Sequence, residues 1–514
     1  MKPIRVLSTL ALVCGVFSAC AVHAQSAPSN EIILKSTQAS FKEYFELLSM
    51  PNDAIVPADI VKNAVWLEAA FARRGFVTRQ LPNAGKPLVY AEYSKQVAGA
   101  KTVLFYMHFD GQPVLPEQWA QKSPWQAVVK KRNATGAWEV VATDRLTADK
   151  LDPELRVFAR AASDDKGPIM MFLAAFDSLK ASGLEPGINV KVLLDSEEEK
   201  GSPTIDKVAT EHKALLRADG ILIHDGPMHG SGKPTLVFGN RGMTAVTLTV
   251  YGPKNPLHSG HYGNYVPNPA QRLASLLASM KDDDGRVTIA GYYDRVKFTE
   301  AESKILAEVD DNEPALKKRL GIAKADLVGR NYQEALQYPS LNIRGLAAAA
   351  IGDKVANIVP NKAIAELDLR TTPEAEPEFL FGLIEAHIKS RGWYLAKGEP
   401  TDAERASHDK IASLSLGRGS RAARTPIDSP LGAWVSGALA QAAAHDGAAS
   451  SLVRIRMMGG SVPTDKLVDV LNVPFVITPL VNGDNNQHSY DENMRVGNYL
   501  DGVRVFTRLL RTPF

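Results

Sequence analysis

The stretch Phe158-Ala159-Arg160-Ala161-Ala162-Ser163-Asp164-Asp165-Lys166-Gly167-Pro168 decides how this chain is read. Two adjacent carboxylates stand directly before an apolar run, Ile169 to Leu179, that has the length of a buried helix. Paired acids at such a point are costly unless a cation or a hydrogen-bond network receives them. Whatever meets Asp164 and Asp165 must come from elsewhere in the chain.

Working outward, three apolar strands are predicted, and each ends in polar residues. Val103 to Met107 (VLFYM) reads as a strand buried on both faces and ends in His108-Phe109-Asp110. Ile188 to Leu194 ends in Asp195-Ser196-Glu197-Glu198-Glu199-Lys200-Gly201-Ser202. Gly220 to Ile223 ends in His224-Asp225. Earlier, Glu31–Met50 and Pro57–Arg74 have helical periodicity, and Phe76–Thr78 and Leu88–Tyr93 read as strands. Helices alternating with strands predict an α/β fold, in which ligand sites form beyond the carboxyl ends of the strands.

After Gly239-Asn240-Arg241-Gly242 the texture changes. Ala245 to Tyr251 alternates as a half-exposed strand, and a helix is expected at Pro269–Met280. Strands at Leu341–Arg344 and Ala363–Arg370 and a helix at Glu376–Ser390 follow. Lys397 to Arg424, charged and rich in Gly, Ser and Ala, is expected to be partly loop. Core texture returns at Pro430–Ala444, Pro474–Ile477 and the terminal helix Val496–Arg511. The expected organisation is a first catalytic segment at 25–240, an inserted α+β domain at 241–424 and a second catalytic segment at 425–514.

Lys2 and Arg5 precede an apolar run from Val6 to Val22, closed by small residues at Ala24. This predicts a signal peptide over residues 1–24 and an exported protein. Lipoprotein anchoring at Cys20 is the weaker alternative, because Phe17 is a poor residue for that processing site. Both cysteines, Cys14 and Cys20, lie in the leader, so any metal must be held by His and carboxylates. A net charge of +2 gives no footprint for nucleic acid, and no membrane-spanning run follows the leader.

His108, Asp164, Glu199, Asp225 and His488 are the candidate metal ligands. Nitrogen and oxygen donors alone suit zinc, manganese or cobalt. Two histidines and three carboxylates can hold two ions if one carboxylate bridges them, and ions about 3.5–4 Å apart can activate a shared water. A further glutamate in the acidic box would then be free to act as a general base.

Taken in order, these residues resemble the dinuclear zinc exopeptidase family that includes carnosinases and other dipeptidases, glutamate carboxypeptidases, aminoacylases and acetylornithine deacetylases. His108-Phe109-Asp110 is similar to its HxD, Ala159 to Pro168 to its GRGxxDxKGP, and Ser196 to Ser202 to its GxEExGS box. Gln487-His488-Ser489 closes the set. The resemblance implies a zinc-exopeptidase-like mixed sheet flanked by helices, with an inserted ferredoxin-like lid and dimerisation domain. It implies that Asp164 bridges two metals, that His108 and Asp225 complete one site, and that Glu199 and His488 complete the other. Glu198 would be the general base and Asp110 the carboxylate orienting His108, and a cis peptide would join Asp164 to Asp165.

In the insertion, Leu257-His258-Ser259-Gly260 resembles the motif whose histidine reaches a neighbouring subunit's centre, which implies a homodimer. Asn357, Arg370, Gly460 and Ser461 fall where the family contacts substrate, Arg370 gripping its free carboxylate. Ala159 and Ala161 replace both glycines of GRG, and Glu197 adds a third acid whose register Gly201-Ser202 resolves. The expected activity is two-metal hydrolysis of dipeptides or small peptides. The long insertion and the Trp119/Trp125 region favour the carnosinase-like branch. An N-acyl-amino-acid substrate, or binding of peptide or metal without turnover, are the alternatives.

Overall fold

The computed structural model describes residues 27–444, 451–460, 462 and 464–514. The expected leader, with Cys14 and Cys20, and the candidate Ser461 lie outside them.

An eight-stranded mixed sheet runs in the order Phe76–Leu81, Leu88–Tyr93, Asn189–Asp195, Thr102–His108, Gly220–Ile223, Phe475–Ile477, Thr235–Val237, Val453–Ile455. Thr102–His108 pairs in parallel with Asn189–Asp195 on one side and Gly220–Ile223 on the other. His108 stands opposite Asp195 in this register, so the polar strand ends open on one edge. The apolar run is buried on both faces, as its composition requires. Val103, Phe105 and Met107 enter one core with the helices Asn30–Leu48, Lys166–Ala181 and Val496–Arg511, while Leu104 and Tyr106 enter a second core on the other face.

Residues 242–420 form a second sheet, ordered Ser340–Ala347, Lys362–Thr371, Gly242–Tyr251, Ile411–Ser420, Tyr394–Ala396. Along Gly242–Tyr251 buried and half-buried residues alternate, and Leu273, Leu276, Leu380 and Ile384 of the helices Pro269–Ala278 and Pro377–Ser390 complete its core. Gly239–Asn240 pairs with Ala423–Arg424, so the chain enters and leaves this sheet side by side.

Two sets of elements go beyond what the sequence predicts. The segment expected as partly loop contains the helix Asp402–Ser407 and the ten-residue strand Ile411–Ser420, which pairs with Gly242–Tyr251. Its composition hides it because glycine is needed for close approach. A Cβ on Gly419 would stand 2.0 Å from the Met243 carbonyl oxygen. A four-stranded sheet, ordered Asn493–Arg495, Arg156–Phe158, Val128–Arg132, Trp138–Val140, was not foreseen. Its strands are three to five residues long and partly charged, too short for a period-2 pattern to register. Among the described residues no helix is long and apolar enough to cross a membrane.

Candidate metal centre

The opening stretch forms the turn between Arg156–Phe158 and the helix Lys166–Ala181, and a second set of residues holds it in place. Glu492, fully buried, takes hydrogen bonds through one oxygen from the N–H groups of Ser163 (2.9 Å) and Asp164 (3.0 Å) and the Ser163 hydroxyl (2.9 Å). Its other oxygen takes bonds from the Ala161 N–H (3.0 Å) and the Arg160 guanidinium (2.8 Å). A buried carboxylate is stable only when its lone pairs are met this fully. Ala161 adopts φ +61°, the left-handed region where the related motif has glycine. Gly167 admits no side chain, since a Cβ would stand 2.4 Å from the Ala162 carbonyl oxygen. Lys166 is buried and donates to the carbonyls of Leu47 (2.9 Å) and Met50 (2.8 Å), clamping the helix start to the end of Asn30–Leu48. The peptide bond between Asp164 and Asp165 is cis, as expected.

Asp164 thereby reaches two imidazoles. Oδ1 lies 2.9 Å from Nε2 of His108, and Oδ2 lies 3.1 Å from Nε2 of His488, which also stands 3.2 Å from Oε2 of Glu199. Ligand atoms of His108, Glu198 and Asp225 gather within 4.8 Å of one another, and so do those of Asp164, Glu199 and His488. Asp110 braces the assembly. Its carboxylate accepts the N–H groups of Glu198 (3.0 Å) and Glu199 (3.1 Å), and its carbonyl faces Nδ1 of His108 at 3.2 Å. Asp165 accepts the His108 N–H (3.1 Å), so the second acid supports the strand end. Glu197 turns away to Asn83 (2.9 Å) and Lys86, which leaves Glu198 and Glu199 facing the cluster.

The electrostatics call for cations. Burial, with the Asp164 carboxylate next, pushes Asp225 up to about 6 and Glu199 up to about 7. Burial also holds Glu198 well above the usual carboxylate range. Burial alone would raise Asp164, but the His108 and His488 imidazoles outweigh it and hold that carboxyl low. Among the described residues no Lys or Arg forms an ion pair with Asp164, Glu198, Glu199 or Asp225. Four crowded acids with two imidazoles and, among the described residues, no Lys or Arg partner form a donor set for divalent metal ions.

The insertion residues are placed differently. His258, exposed, pairs through its backbone with Ile358, and Asn357 accepts the Ser259 N–H at 2.9 Å. Arg370 lies opposite Met243, with Nε 3.5 Å from Asp368. Gly460 lies two residues after Met458, whose N–H donates to the Gly239 carbonyl at 2.9 Å. Among the described residues none of these four hydrogen-bonds or ion-pairs with the metal-ligand set. Sequence reasoning missed Glu492 and also Gln112, which donates to Glu199 at 2.6 Å. Nothing in the local sequence marks either, because their partners are distant in the chain. His224, beside Asp225, is no donor to the cluster. It is buried against Phe105 and Phe506, with Nδ1 2.5 Å from the Thr478 hydroxyl.

The chain is 27% identical over 430 residues to the Cys-Gly metallodipeptidase dug1 of Schizosaccharomyces pombe, covering 82% of this chain and 81% of that one. It is 26% identical to the Beta-Ala-His dipeptidase of Mus musculus, over 79% of this chain and 75% of that one. Among solved structures, an M20 family metallo-carboxypeptidase of Sulfolobus solfataricus, Sso-CP2, superposes with TM-score 0.70 at 26% identity, covering 92% of this chain and 98% of that one. The pattern of Peptidase family M20/M25/M40 matches residues 104–512, four-fifths of the chain, which therefore belongs to that family and is a metal-dependent exopeptidase.

Proposed function

We propose that the protein hydrolyses the amide bond of dipeptides or small peptides bearing a free C-terminal carboxylate, using two divalent ions, with zinc the first choice and manganese or cobalt next. The observation that carries this reading is Asp164, whose two oxygens face the two imidazoles of His108 and His488. His108 and Asp225 would hold one ion and Glu199 and His488 the other, with Asp164 shared. When bound, such a pair would polarise a carbonyl and acidify a water. The printed names of the relatives, metallodipeptidases and a metallo-carboxypeptidase, support the substrate class.

Glu198 takes the proton from the attacking water and delivers it to the leaving amine. Its buried position favours the protonated state that the second transfer needs. Asp110 holds the Glu198 and Glu199 backbone and the His108 ring in place through the whole cycle. Arg370 receives the substrate carboxylate with the help of Gly460 and Asn357. Burial and the nearby Arg370 charge lower Arg241 to about 10, so two guanidiniums share this region, an environment suited to an anion. In this reading His258 serves the centre of a second copy in a homodimer, and the N-terminal leader directs export.

The test is a dipeptide panel on metal-reconstituted protein, with each substrate also N-acetylated and C-amidated and metal content measured. Turnover should require metal, tolerate a free amine and fall on amidation. Preference for the acetylated forms would move the reading to N-acyl amino acids, and equal hydrolysis of the amides would remove Arg370 from its role.

A further inference from the structure

A second cavity of about 360 Å³ lies against the unforeseen four-stranded sheet, walled by Trp138, Phe158, Val128 and Val140. Its polar lining includes Lys130 and Asp491. Lys130 is only 5% exposed, with its ammonium 4.3 Å above the Phe158 ring. Among the described residues it makes no hydrogen bond and no ion pair. The cation–π contact leaves this cavity-lining ammonium without a hydrogen-bond acceptor among the described residues. Burial lowers its pKa, and the Asp491 carboxylate is the charge that opposes this. Asp491 accepts the Ala120 N–H at 3.0 Å through Oδ1, and its Oδ2 has no hydrogen bond among the described residues. Lys130 and Asp491 line one cavity, with Lys122 a third charge on its wall, yet the two form no ion pair.

We propose that this cavity binds a free zwitterionic α-amino acid, its carboxylate on Lys130, its ammonium on Asp491 and its side chain between the aromatic walls. An inorganic anion would satisfy only the lysines and leave Asp491 and the aromatic surface unused. A zwitterion meets Lys130 and Asp491 together, and its side chain replaces water at the rings. The position links the cavity to the metal centre. Asn486, also in the lining, and Asp491 flank His488, and the Asn486 side chain donates to the Asp491 carbonyl at 3.3 Å. A ligand held by Asp491 therefore bears on the loop that presents His488 to Asp164 and Glu199, and occupancy changes kcat without competing with substrate.

The test uses metal-loaded full-length protein with L-leucine as probe, read by tryptophan fluorescence with Trp138→Phe as the silent control, and by calorimetric stoichiometry. Saturable binding is expected. L-leucinamide, which lacks the carboxylate, and N-acetyl-L-leucine, which lacks the ammonium, should each bind about tenfold more weakly or worse. Lys130→Met should weaken leucine by a similar factor and abolish its noncompetitive effect on dipeptide turnover, with basal kcat/KM and the thermal midpoint unchanged. Lys130→Arg should retain binding. An unchanged titration in Lys130→Met, or leucine acting only as a competitor of substrate, overturns the proposal. The fluorescence reading does not depend on turnover, so failure here is distinct from failure of the peptidase reading.

Discussion

The strand ends around Asp164 and the short pairing around His258 both carry histidines expected to act on substrate, yet they are built in opposite ways. His108 is fully buried, with one ring nitrogen on Asp164 and the other facing Asp110. His258 is exposed, and among the described residues its ring meets only its own neighbourhood, the Gly260 N–H at 3.1 Å and the His261 ring at 4.7 Å between centroids. The metal centre is assembled from one chain, with a bracing group behind most donors. Among the described residues nothing stands opposite the His258 ring. The difference teaches that the first region can bind cations by itself, whereas the second can act only when something outside its own sheet reaches it.

The sharpest way to break the comparison is Glu198→Gln. It should leave metal content intact and lower kcat about 10²–10⁴-fold, as expected for loss of a general base. Undiminished turnover would show that the centre does not work as built. Next in size is Glu492→Ala, which strands the Arg160 charge and removes the acceptor of five hydrogen bonds. A loss of about 3–5 kcal/mol is expected in denaturant titration, and a loss under 1 kcal/mol would mean the turn is held by something else.

His258→Ala sharpens the other side. Stability should stay within about 0.5 kcal/mol, while kcat falls about 10²–10³-fold if the ring stabilises a developing oxyanion. Mixing this variant with Glu198→Gln should restore part of the activity, because one centre of the mixed dimer regains both groups. No restoration, with both variants folded, would count against a role across subunits.

A smaller effect concerns pH. Asp225 at about 6 and Glu199 at about 7 lie above their unfolded values, so the folded metal-free protein holds these protons more tightly than the unfolded chain does. Their contribution to stability is fully present below about pH 4 and is lost as pH rises through 6 and 7. Cations must displace the same protons, so metal affinity should weaken as pH falls from 7 toward 6, by about tenfold per unit for each proton released. Chelator competition at several pH values reads this directly, and a flat profile would contradict it. The smallest change is Ala161→Gly, which relieves a left-handed alanine but adds backbone entropy to the unfolded chain. A net gain of about 1 kcal/mol or less is expected in thermal unfolding, and a clear loss would mean the Ala161 methyl packs usefully.

The metal centre was legible because its donors sit in contiguous, distinctive runs: His108-Phe109-Asp110, the acidic box and Asp164-Asp165. Residues 397–424 were not, because Gly417 and Gly419 answer a neighbouring strand and carry no strand propensity of their own. Glu492 and Lys130 were invisible for a related reason. A glutamate and a lysine in short polar stretches look like surface until the fold buries them.

By itself the sequence determined which segments form the buried strands and helices, and which residue types gather at the strand ends, because side-chain chemistry and hydrophobic periodicity are local properties. Only the tertiary structure decided that Asp164 faces both His108 and His488, that Glu492 gathers the turn Arg160 to Asp164, and that Lys130 shares a cavity with Asp491. Those pairings join residues up to hundreds of positions apart. They follow from parallel register and sheet order, which place distant strand ends side by side and which no local pattern encodes.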